Sequence, residues 1–80
     1  MGYAVAWAPD AEKQLAAVWM AAADPSAVTR AVERAERLLA NNPLACGTDF
    51  YGDRLLTAGP LHIVYAVQPQ ARTVTVTMVW

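Results

Sequence analysis

Apolar and polar positions along this chain follow two different periods, and the switches between them mark out the elements. Tyr3, Val5 and Trp7 fall on every second residue, which predicts a short strand ending before Pro9. From Pro9 the period lengthens. Ala11, Leu15, Val18 and Ala22 form a helical stripe with Trp19 at its border, and Asp10 and Glu12 put negative charge at the favourable end. Asp24-Pro25 then supplies a capping carboxylate followed by proline at the first helical position. In this second helix Val28, Val32, Ala35 and Leu39 share one face, with Ala31 and Leu38 beside them and Arg30, Arg34 and Arg37 opposite. Asn41-Asn42-Pro43 ends it.

Leu44 to Asp53 reads as a loop hinged at Gly47 and Gly52, with Phe50-Tyr51 as anchors onto the core. Period 2 then returns. A strand from Arg54 turns at Ala58-Gly59-Pro60 into a second, in which Leu61, Ile63, Tyr65 and Val67 face one way and His62, Val64, Ala66 and Gln68 the other. After a turn at Gln68-Pro69-Gln70-Ala71, the last strand sets Thr73, Thr75 and Thr77 against Val74, Val76, Met78 and Trp80. The expected architecture is α+β, in the order β-α-α-β-β-β. An antiparallel helical hairpin covers one face of a four-stranded, mainly antiparallel sheet. The other face stays open, and Val64, Ala66, Thr75 and Thr77 on it are the expected partner-binding positions.

Eighty residues provide one domain, 1–80, and too little chain for a second core. The apolar share is 56%, above the usual ~45–50%, much of the excess being alanine, which fits either a surface that a partner covers or simple tolerance of surface alanine. A net charge of −1 gives no global attraction for nucleic acid or an anionic membrane. No stretch resembles a signal peptide or offers ~20 apolar residues for a membrane span. The single cysteine, Cys46, excludes an internal disulfide and fits a reducing, cytoplasmic setting. No metal or other cofactor is expected, because Cys46 and His62 have no carboxylates at ligand spacing.

Arg54 and His62 carry the sharpest chemical reading. Projecting near one end of the open face, a cation and an imidazole could hold a phosphate and move a proton. That is the minimum for attack of a ribose 2′-hydroxyl on its own phosphodiester. The plainer reading pairs Arg54 with Asp49 or Asp53 and leaves His62 a half-exposed strand residue.

Element order and motifs together resemble the RelE/ParE superfamily of toxins from bacterial type II toxin–antitoxin modules, including plasmid-stabilisation systems. The resemblance rests on the Tyr3–Trp7 strand, the Pro9-Asp10-Ala11 helix start, and the Leu38-Leu39-Ala40-Asn41-Asn42-Pro43 exit. It rests above all on Arg54-Leu55, Gly59-Pro60 and His62-Ile63-Val64-Tyr65-Ala66-Val67. It implies a toxin neutralised by a cognate antitoxin, acting either by cutting messenger RNA on the ribosome or by poisoning DNA gyrase. Arg54 and His62 occupy basic positions of the nuclease motif, whereas Gly52 stands where a second cation is found, so the resemblance implies impaired cleavage. The alternative from another class is a catalytically degenerate toxin fold serving as a protein-interaction or homodimerisation module.

Overall fold

The computed structural model describes residues 2–80. Its elements run β1 (Ala4–Trp7), α1 (Pro9–Ala21), α2 (Pro25–Asn41), β2 (Thr48–Phe50), β3 (Asp53–Ala58), β4 (Leu61–Gln68) and β5 (Thr73–Val79). The five strands form one sheet in the order β1-β5-β4-β3-β2, antiparallel except where β1 lies parallel to β5. The class is the expected α+β, with one strand more than the four expected.

The helices form where the sequence places them. α2 begins at the Asp24 cap, whose carboxylate accepts the Ala27 N–H at 3.4 Å. It buries Val28, Ala31, Ala35 and Leu39. Leu38 falls one step outside that stripe and is exposed. α1 starts at Pro9 with no side-chain cap and buries only Ala11 completely, while Leu15 and Val18 pack against the core. β5 outlasts β1, and the Gln14 side chain of α1 takes over where the ladder stops, accepting the Val79 N–H at 2.8 Å. The core lies between the helical hairpin and one face of the sheet, centred on Leu39, Leu61, Ile63, Tyr65, Val74 and Val76.

Two departures from the expected pattern reshape the other face. The first lies in the stretch read as a loop. Thr48–Phe50 adds an edge strand to β3, closed by Tyr51 and Gly52 at φ 51° and 91°. Two consecutive positive φ values make the type I′ turn that matches the twist of a two-stranded hairpin. Tyr51 is therefore not a core anchor: it stands at the hairpin tip, 95% exposed.

The second is a bulge. Val64 pairs with Met78 but Tyr65 with Val76, leaving Thr77 as an extra residue in β5. Because side chains alternate with period 2, one extra residue reverses every later position. Val79, not Met78 or Trp80, enters the core, and both of those side chains pass to the opposite face, 43% and 45% exposed.

Candidate functional site

Register decides where the two expected catalytic side chains go. Arg54 pairs with Tyr65, and Leu56 with Ile63, so Arg54 shares the face of the sheet that the helices cover. His62 lies on the other face, across from Thr57 on β3 and joined by two backbone hydrogen bonds to Trp80. The two are three residues apart along the strand pair, roughly 10 Å at ~3.3 Å per residue, and project on opposite sides. The expectation that both stand on the open face is corrected: an alternating strand cannot place 54 on the face of 62 in this register.

Arg54 works on the backbone of the loop before β2. Its Nε and one terminal nitrogen each donate to the Cys46 carbonyl at 3.2 Å, and that terminal nitrogen donates to the Gly47 carbonyl at 3.0 Å. No carboxylate lies within 4 Å of it among the described residues. The wholly buried Tyr65 meets the same loop from β4. Its hydroxyl stands 2.6 Å from the Cys46 carbonyl and 2.8 Å from that of Pro43. The Cys46 thiol stands 3.5 Å from the hydroxyl oxygen, within reach of a hydrogen bond that either atom could donate. Arg54 and Tyr65 thus hold Pro43 to Gly47 as a clamp from two strands.

Burial first, and the Cys46 hydrogen bond second, push the Tyr65 hydroxyl up from 10.0 to about 12, against a smaller opposing pull from Arg54. A folded-state value above the unfolded one means the native state keeps a proton that the unfolded chain has lost. Stability is therefore intact below pH ~10 and falls as pH rises towards 12, by on the order of 2 kcal/mol. Urea unfolding at pH 9 and pH 11.5 checks this: the Tyr65→Phe variant lacks that alkaline loss. At neutral pH the same variant is less stable by about 1–3 kcal/mol, because buried carbonyls lose their donor.

The open face is not bare. Val64 is only 3% exposed there, flanked in register by Leu55 and Met78. The Phe50 and Trp80 rings stand 6.2 Å apart above the sheet. Phe50 meets Tyr51 edge-on at 4.9 Å, and His62 stacks on Trp80 at 5.4 Å with 15° between the rings. Of the expected partner-binding positions, Val64 lies beneath this surface, Ala66 and Thr75 are half-buried, and Thr77 is exposed at the bulge. Arg72 joins neither group. It sits in the turn at the far end of β4, its guanidinium 6.0 Å from the Tyr3 ring centre.

A third feature was not singled out by sequence. Between α1 and α2 runs an open apolar groove of about 650 Å³, lined by Trp7, Leu15, Trp19, Met20, Val28 and Val32. Trp19 and Met20 are 48% and 80% exposed. The signal was present in α1, where Ala16, Trp19 and Met20 extend the apolar surface beyond the core stripe; a helix apolar on more than one side calls for cover on more than one. Among the described residues no group of three or more His, Cys, Asp or Glu could hold a metal ion, and no helix is long and apolar enough to cross a membrane.

The sequence matches no family model and no curated protein. The fold does match solved structures. A chain of the toxin–antitoxin complex RelBE2 from Mycobacterium tuberculosis superposes with a TM-score of 0.82 at 22% identity, covering 99% of this chain and 96% of that one. A chain of the chromosomal ParDE TA system from P. aeruginosa gives a TM-score of 0.70 at 18% identity, over 96% and 92%. The architecture is thus the RelE/ParE-type α+β fold, present over nearly the full length of those chains.

Proposed function

We propose that this chain is the toxin of a type II toxin–antitoxin module, held inactive by an antitoxin helix lying in the α1–α2 groove. The observation that carries the reading is the near full-length likeness to chains of two toxin–antitoxin assemblies. The toxin acts by binding a protein target such as gyrase, not by cutting messenger RNA. Three positions support that choice: Arg54 is committed to the loop carbonyls, His62 is stacked on Trp80, and Arg72 stands at the other end of the sheet. No two of these groups converge on a phosphate.

Expression of the chain alone in a bacterium, beside His62→Ala and Arg54→Lys, tests this. The expected result is growth arrest with intact messages, retained by His62→Ala. A general acid or base would take ~10²–10⁴ of the activity with it. Message cleavage abolished by His62→Ala would sink the binding mechanism. Absence of arrest at good soluble expression would sink the toxin reading and leave a non-toxic interaction module.

A further inference from the structure

The open-face aromatic surface has a charge of its own. Between residues 44 and 68 the charged side chains are Asp49, Asp53 and Arg54. Arg54 turns its guanidinium to the Cys46 and Gly47 carbonyls on the helix side. Asp53 pairs in register with Phe50, which puts its carboxylate on the aromatic side of the hairpin. Among the described residues it has no cation within 4 Å. The exposed rings of Tyr51 and Trp80, with the half-buried Phe50 between them, therefore stand beside this carboxylate, while Arg54 faces away.

A ring face attracts a cation through its quadrupole, and a neighbouring carboxylate adds to the attraction. The same carboxylate repels phosphate, so the pair selects against nucleic acid. Met78 and Trp80 add apolar surface next to it, the result of the Thr77 bulge. We infer that this face, built from Phe50, Tyr51, Asp53, Met78 and Trp80, docks an arginine-bearing apolar peptide segment of a partner protein. The guanidinium stacks on the Tyr51 or Trp80 ring and pairs with Asp53, while the flanking aliphatic side chains cover Met78. The inference rests on the proposed binding mechanism and names the chemistry of the segment that the toxin grips.

The test is an NMR titration of the isotope-labelled full chain with the pentapeptide acetyl-Leu-Arg-Leu-Arg-Leu-amide. The same peptide with glutamate for arginine, and a ten-residue oligouridylate, serve as comparisons. Shifts are expected at Tyr51, Asp53 and the Trp80 indole with the arginine peptide alone. Asp53→Asn and Tyr51→Gly should each weaken binding about three- to ten-fold, the range of one exposed ion pair or ring–cation contact. Glycine at 51 keeps the positive φ that the turn requires. Asp49→Asn, across from Arg54 on the helix side, should leave affinity unchanged and so exclude a mere effect of net charge. Shifts confined to Trp19 and the helix groove, equal binding of the glutamate peptide, or preference for the oligouridylate would each overturn the inference. Growth arrest without peptide binding would remove this inference but not the toxin reading; peptide binding without arrest would do the reverse.

Discussion

Gly47→Ala is expected to cost about 3–5 kcal/mol and to lower the melting temperature by about 15 °C or more. Gly47 sits at φ +78°, and a Cβ there would lie 2.7 Å from the Tyr65 hydroxyl and 2.8 Å from the Leu55 carbonyl. The left-handed backbone alone costs an L-residue ~1–2 kcal/mol. The clash adds more, because neither neighbour can give way freely. The Leu55 oxygen is backbone of the β3 strand, and moving the Tyr65 hydroxyl breaks its contacts with Pro43 and Cys46 at ~1 kcal/mol or more each. For a domain of this size the whole stability is of order 4–12 kcal/mol, so a large share is removed. Gly52→Ala is the internal control. It shares the positive φ, at +91°, but a Cβ there meets nothing within 4 Å, so only the ~1–2 kcal/mol of backbone strain should appear. Thermal melts of both variants decide the matter. Equal losses would mean that the loop yields freely and that the Arg54–Tyr65 clamp is not rigid.

That clamp changes how mutations at Arg54 are read. Arg54→Ala removes the donors of three part-buried hydrogen bonds, so lost toxicity in that variant would report a loosened loop as readily as lost chemistry. Among the described residues the His62 side chain makes no such hydrogen bond and only stacks on Trp80, which makes it the cleaner probe of catalysis.

The elements most legible in the sequence are those whose cause is local. Asp24-Pro25 fixes the start of α2, and the alternation through Leu61, Ile63 and Tyr65 fixes the buried face of β4, because cap chemistry and period 2 depend on nearby residues only. The Thr77 bulge was not legible. Val74, Val76, Met78 and Trp80 alternate without a break, and only pairing with β4 reveals that the strand carries one residue too many. Arg54 escaped for the same reason. Its face is set by the Tyr65 register, and its partners are backbone carbonyls, which carry no side-chain signature. Thr48–Phe50 was hidden by its shortness and by Tyr51, an unusual residue for a positive φ, beside the glycine that a type I′ turn favours. The bulge and the added strand reshape the open face, whereas Arg54 lies on the face that the helices cover. The two-sided apolar character of α1, by contrast, is a local property, legible in the spacing of Ala16, Trp19 and Met20 alone.

The groove they line gives the largest expected effect on binding. On the proposed toxin reading the partner is an antitoxin, recognised as the co-expressed polypeptide that restores growth, and it should lose affinity about 30- to 1000-fold for a Trp19→Ala, Met20→Glu double variant. Buried aromatic anchors at interfaces are commonly worth ~2–4 kcal/mol on truncation, and a carboxylate set against an apolar helix face adds an unpaired buried charge. Met20 is 80% exposed in the free chain, so its replacement touches little of the fold. Surface changes of this kind shift stability by ~0.5 kcal/mol or less. Trp19, at 48% exposure, contributes more to packing, so Met20→Glu alone serves as the variant whose melting temperature should stay within a few degrees of the parent. The two readouts pull in opposite directions for an interface and for a folding defect. A variant that still arrests growth but is no longer rescued places the antitoxin in the groove, since an unfolded chain could not poison its target. A variant bound with undiminished affinity would move the antitoxin elsewhere, and the exposed Trp19 and Met20 would then require a different occupant.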